Sequence, residues 1–169
     1  VVLYATLGCG WLIFKTEKML QNRMFELMPK LLISLLMIFA CVSIYTPLAH
    51  PQIAERWFSS PQLFYFSPVP VLVLLFTFLA IKACKQRKEF LPFIYTLALV
   101  ILAYTGFLIS LCPYVIPPSV TIWEAAAPAS SQLFALIGAL ILIPIILIYT
   151  GLSYWVFRDK VRIGDDGYH

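Results

Sequence analysis

The amino-acid sequence predicts an all-α fold, a polytopic transmembrane helical bundle with one partial and four complete spans, on three observations. Of its 169 residues 62% are hydrophobic and only 12% charged, with a mean hydropathy of +0.90; a soluble domain carries about a quarter charged residues to coat its surface. The apolar residues come in long runs that hold no charge at all. Lysine and arginine gather at alternate ends of those runs. The same composition excludes a disordered chain, a collagen-like repeat and a disulfide-stapled secreted module. The formal charge of +4 sits beside the apolar runs, so nucleic acid is not an expected partner.

The elements follow in order. The chain opens on Val1-Val2-Leu3, which is neither an initiator methionine nor a signal-peptide n-region. Its first apolar run ends at Phe14, and a helix of that length rises about 21 Å against roughly 30 Å of hydrocarbon. Residues 1–14 are therefore expected to be the end of a truncated transmembrane helix, and the chain the C-terminal part of something longer. Residues 15–30 place Leu20, Met24, Leu27 and Met28 on one helical face. They read as a cytoplasmic amphipathic segment: a solvated loop on the bilayer, an interfacial helix, or an extension of the neighbouring spans stopped near Pro29.

Residues 31–157 hold the four complete spans: Leu31 to Ala49, Leu63 to Ile81, Phe90 to Tyr114 and Ser131 to Phe157. Each is far longer than a buried strand and none alternates polar with apolar, as a barrel strand would. Outer loops are expected near 50–62 and 115–130, and a cytoplasmic tail at 158–169. Of the 12 cations all but Arg56 lie on one side of this topology. They are Lys15, Lys18, Arg23 and Lys30, then Lys82, Lys85, Arg87 and Lys88, then Arg158, Lys160 and Arg162. The positive-inside rule makes that side, and the C-terminus, cytoplasmic. Trp11, Trp57, Trp123 and Trp155 fall at the span ends, where amphipathic rings favour the headgroup layer.

Candidate chemistry is scarce. The spans contain no Asp, Glu, Lys, Arg or His, the groups that proton relays and haem ligation draw on. Cys9, Cys41, Cys84 and Cys112 lack metal-site spacing and read as small apolar side chains. No catalytic, cofactor-binding or metal-ligating residue is assigned. The segment from Cys112 to Gln132 is the most individual part. Pro117-Pro118 is expected to stop the preceding helix. Thr121 and Glu124 fit a capping box for a short helix through Ala127, ended by Pro128, and Ser130 or Ser131 can cap the last span. Glu124, the single charge between Glu89 and Arg158, makes with Trp123 a candidate polar site at the outer surface, with capping as the simpler role. Pro144 is expected to kink the last span.

At these residues the chain resembles subunit II of the bacterial cytochrome bd-type quinol oxidases, including the cyanide-insensitive branch. The matching stretches are Gly10 to Glu17 (GWLIFKTE), Pro113 to Phe134 (PYVIPPSVTIWEAAAPASSQLF) and Pro144 to Arg158, with Gly167-Tyr168-His169 at the end. The resemblance covers the whole chain and about the second half of that subunit. It implies a heterodimer with a haem-bearing subunit I, in a bacterial inner membrane, that oxidises quinol and reduces O₂ to water in aerobic respiration. The enzyme class implied is an electron-transferring quinol:O₂ oxidoreductase. No haem is expected on this chain, and the family's proton-supply residues belong to the first half, so no catalytic residue carries over. The chain's expected role is assembly and shielding of the haem subunit, with a groove suited to quinone or lipid. The rival readings are half of a membrane transporter, which would place polar groups at midplane near broken helices, and a scaffold subunit that holds no small molecule.

Overall fold

In a computed structural model, residues 1–58, 64, 66–117 and 119–160 are described. Four helices are long and apolar enough to cross a membrane and a shorter apolar helix precedes them, which is the all-α polytopic class expected. The elements are α1 (Val2–Lys15), α2 (Lys18–Ala49), α3 (Pro51–Phe58), α4 (Pro68–Lys85), α5 (Leu91–Leu111), β1 (Tyr114–Ile116), β2 (Val120–Thr121), α6 (Ile122–Ala125) and α7 (Ala129–Val156). They fall into two compact units, Val1–Leu111 with Lys160, and Cys112–Asp159.

In the first unit α1 packs on α2 and α5, and α4 packs on the same two helices, so four helices surround one core. Its buried residues are Cys9 and Ile13 from α1, Phe25, Met28 and Leu32 from α2, Ala80 and Cys84 from α4, and Leu99 from α5. All lie in the half of each helix next to the basic segments. Gly10 permits the closest approach: a Cβ there would stand 3.2 Å from Phe93 Cα and 3.4 Å from Met28 Cε. Around it, Trp11 lies with ring centroids 5.4 Å from Phe93 and 5.8 Å from Phe14, and Phe14 lies 5.3 Å from Phe90. Tilted ring pairs of this kind add about 0.5–1.5 kcal/mol each beyond their burial.

The helix ends depart from the sequence reading in several places, among them the second span, expected over Leu63 to Ile81 and found as Pro68–Lys85. α2 does not stop near Pro29 but continues through it, and Pro47 also lies inside this 32-residue helix. A proline in a helix interior costs about 3 kcal/mol; Phe25, Met28 and Leu32, buried on both sides of Pro29, hold the axis in place. The third span ends at Leu111, ahead of Pro117-Pro118, because Pro113 already lacks the N–H that another turn needs. Pro118 itself lies outside the described residues. The short helix ends at Ala125, with Ala126 extended, rather than reaching Pro128. Finally, α7 starts at Ala129 with Pro128 at the cap position and no side-chain cap. Ser131 donates its backbone N–H to Pro128 O at 2.9 Å, and Gln132 Nε2 reaches Ala127 O at 2.7 Å. Pro144 sits within the continuous α7.

Part of the outer segment expected as loop is the helix α3. Trp57 Nε1 donates to Ser110 Oγ at 3.1 Å and the Trp57 ring lies 5.6 Å from Phe66, which fixes α3 against the end of α5. Residues 59–63 and 161–169, including the expected outer-loop remainder, Arg162 and the terminal Gly-Tyr-His, lie outside the described residues.

The Gly10 contact sets a stability test. Gly10→Ala is expected to destabilise the folded chain by about 1–3 kcal/mol, because Phe93 backbone must move. Gly8→Ala, with open space at that Cβ, is expected to be neutral or slightly stabilising. Thermal unfolding of the two variants in detergent checks the difference, and equal midpoints would contradict the packing argument.

Candidate functional site

Several polar side chains within the spans bond back to their own helices. Thr6 donates to Val2 O at 2.8 Å, Thr46 to Val42 O at 2.7 Å, Thr77 to Val73 O at 2.7 Å, Thr96 to Pro92 O at 2.8 Å, Thr105 to Ile101 O at 2.9 Å and Ser110 to Gly106 O at 2.9 Å. Each is a bond to the carbonyl four residues back, the cheapest way to satisfy a hydroxyl in hydrocarbon. Among the described residues no buried side-chain nitrogen or oxygen lacks a partner. Nothing polar is therefore left aimed at a ligand inside the first unit's core.

Charge and hydrogen bonding concentrate at the basic end of that unit. Gln21 Nε2 donates to Ile13 O at 2.9 Å, one of the carbonyls that the end of α1 leaves without a helical partner, and to Glu89 Oε1 at 3.0 Å. Lys160 Nζ donates to Glu89 Oε2 at 2.7 Å. These bonds tie the end of α1, the start of α2, the α4–α5 connection and Lys160 together. The Lys160 ammonium and the Gln21 amide hold the Glu89 carboxyl below its ordinary value. Lys15 Nζ lies 5.3 Å from the Trp11 ring centre and 5.5 Å from that of Phe14.

Arg87 is placed by backbone geometry. After α4 the N–H of Arg87 bonds Cys84 O and that of Lys88 bonds Ala83 O, both at 3.0 Å, and Arg87 takes φ 55°. This is the Schellman ending, in which the left-handed position is commonly glycine. Arginine there turns its guanidinium over the Phe25 ring at 5.3 Å and donates to Asn22 Oδ1.

In the second unit Tyr114 pairs with Thr121 and Ile116 with Val120 in a small antiparallel hairpin. The hairpin delivers the chain into α6 through Ile122 N–H to Pro113 O at 2.8 Å. The capping box is formed as read: Glu124 N–H reaches Thr121 Oγ1 at 3.3 Å, and Glu124 Oε2 accepts from Thr121 N–H at 2.8 Å and Thr121 Oγ1 at 2.9 Å. These donors hold the Glu124 carboxyl below its usual value, the backbone N–H foremost. Trp123 is 73% exposed beside it. The two residues share one turn, and the carboxylate is engaged in the cap. At the end of α7, the Arg158 guanidinium stands 5.3 Å from the Trp155 ring centre.

The donor set can also be tested against haem, which needs strong axial ligands such as His or Met. The spans hold no histidine, and His50 follows α2. Met28 is packed in the core, whereas Met19 and Met37 are exposed on α2. Among the described residues no three His, Cys, Asp or Glu side chains are grouped to hold a metal ion.

Long apolar spans with basic ends and aromatic edges define a multi-pass membrane protein. Residues 1–157 match the family described as cytochrome bd terminal oxidase subunit II, and the chain belongs to that family. None of the curated proteins compared with it matches. Membership makes it a subunit of a terminal oxidase complex, with a partner subunit. Sequence reasoning missed the Gln21–Glu89–Lys160 network and the Arg87 contact; its only signal was polar residues crowded between spans, which orientation alone had explained.

Two outcomes follow. Arg87→Ala is expected to lose about 1 kcal/mol through the ring contact and hydrogen bond while keeping the left-handed backbone. Arg87→Gly is expected to lose less, since glycine removes the left-handed cost of about 1 kcal/mol; unfolding midpoints of the pair decide. The lowered Glu124 carboxyl stabilises the cap above the unfolded carboxylate value of 4.5, and that contribution disappears as pH falls through the lower folded value. Hydrogen exchange at the Thr121–Ala125 amides should speed up in Glu124→Ala at neutral pH, and stay near wild type in Glu124→Gln, which can still cap.

Proposed function

We propose that this chain is the non-haem subunit II of a bacterial cytochrome bd-type oxidase that oxidises quinol and reduces O₂ to water in aerobic respiration. Its partner in this reading is a haem-bearing subunit I, joined to it as a heterodimer in the inner membrane, with the C-terminus cytoplasmic. The observation that carries the proposal is the family match over residues 1–157. The donor set supports it: haems supply the electron transfer and O₂ chemistry when bound, and the spans here offer them no histidine.

The chain's own residues perform three tasks in this scheme. Charge-free helix faces exclude water and stray protons from the neighbouring subunit, because ionisable groups are expensive in hydrocarbon. The Gly10 approach and its aromatic surround fix α1 against α5, so that wall keeps one shape. The one-sided cations orient the unit during insertion. A quinone or lipid tail would find only apolar contacts along these helices, so any such ligand is held by shape and not by a polar anchor within the spans.

Coexpression of the haem-bearing subunit with subunit II lacking residues 1–157 tests the reading. Loss of the visible haem bands and of quinol-dependent O₂ consumption is expected. Full haem content and full activity without these residues would overturn it.

A further inference from the structure

The cations at the basic end of the first unit divide into two groups. Lys15, Arg87 and Lys160 are held by rings or by polar side chains of the protein itself. Lys82 and Lys85 are exposed, have no hydrogen-bond or ion-pair partner among the described residues, and share one face of α4. That face lies opposite the buried Thr77, Ala80 and Cys84. Extended along the helix at three- and four-residue steps, it continues through Phe78, Leu75 and Val71, and Phe78 is 64% exposed and Val71 62%. An exposed apolar stripe thus runs along α4 and finishes in two unpaired ammonium groups, with no acid anywhere on the helix.

The neighbouring α2 repeats the arrangement. Met37 and Ile33, both exposed, lead at the same spacing to Lys30 and then Arg23, with the carboxylate of Glu26 between them. Lys30 and Arg23 likewise have no protein partner among the described residues. Glu26 weakens the attraction of the α2 stripe for an anion and leaves the α4 stripe the stronger of the two.

We propose that the α4 face ending in Lys82 and Lys85 is a binding surface for anionic phospholipid. The acyl chain lies along Val71, Leu75 and Phe78, and the phosphate meets the two ammonium groups. Charge complementarity selects the occupant: an ammonium pair at headgroup depth prefers a lipid of net negative charge over a zwitterion, whose own cation competes. A long apolar stripe below the pair distinguishes a phospholipid from a free phosphate, which would gain nothing from it. The inference uses the membrane-spanning character of the chain and stands apart from the oxidase reading.

The test uses the intact subunit with its partner, reconstituted in nanodiscs from equal parts of phosphatidylcholine and phosphatidylglycerol. Lipid retained after extraction is then counted by mass spectrometry. Phosphatidylglycerol is expected to be enriched about fivefold, the preference that roughly one basic contact supplies. The enrichment should fall by at least about half in the Lys82→Gln/Lys85→Gln variant, and at high salt. Lys82→Arg/Lys85→Arg keeps the charge and should keep the enrichment, which separates lipid recognition from misfolding. Equal retention of the two lipids by the wild-type chain, or undiminished enrichment in the glutamine variant, would overturn the proposal.

Discussion

Hydrocarbon offers a polypeptide no water to bond, so each polar group inside a span must find its partner within the protein. That constraint shapes this chain more than any single contact does. It makes the long runs helices, sends several span hydroxyls back to their own helices, as Thr96 does to Pro92 O, and expels charge to the ends. The proposed enclosing role is the one that spans of this composition suit.

Inert helices still have to hold a defined arrangement, and burial in lipid does not drive one apolar helix onto another as water would. Close packing has to do it. Gly10 opens the space for Phe93, the rings of Trp11, Phe14 and Phe90 fill around it, and the Gln21–Glu89–Lys160 bonds close the same end from the polar side. Packing and polar ties therefore meet at one level of the first unit. The other end is fixed more lightly, by α3 through Trp57 and Ser110.

How much of this was legible in the sequence follows from the same physics. Run length and charge placement gave the number of spans because hydrophobic thickness is a fixed yardstick. The capping box at Thr121 and Glu124 was legible because its chemistry is local. The core was not: when lipid and neighbouring helix are both apolar, the buried face of α2 (Phe25, Met28, Leu32) looks like its exposed face (Ile33, Met37), and periodicity carries no contrast. Pro29 was read as a stop by a local rule that packing on either side overrode. The Tyr114–Thr121 hairpin escaped notice because its strands are too short to show alternation. In the candidate site, the cap that engages Glu124 beside Trp123 is local, whereas the Gln21, Arg87 and Glu89 contacts depend on residues distant in sequence.

The cations illustrate how one sequence signal can carry several physical roles. Counted together they only orient the chain. Placed on the helices they separate: Arg87 is committed to Phe25 and Asn22, at a backbone position that costs an arginine more than a glycine, while Lys82 and Lys85 have no partner among the described residues and lie at the foot of an apolar stripe. A residue needed only for orientation could occupy any place near the span end, since the insertion rule counts charges and is indifferent to helix face. The commitment of Arg87 to one ring and the alignment of Lys82 with Phe78 are face-specific. The insertion rule bears on the number of such charges, and a ring contact accounts for where Arg87 sits.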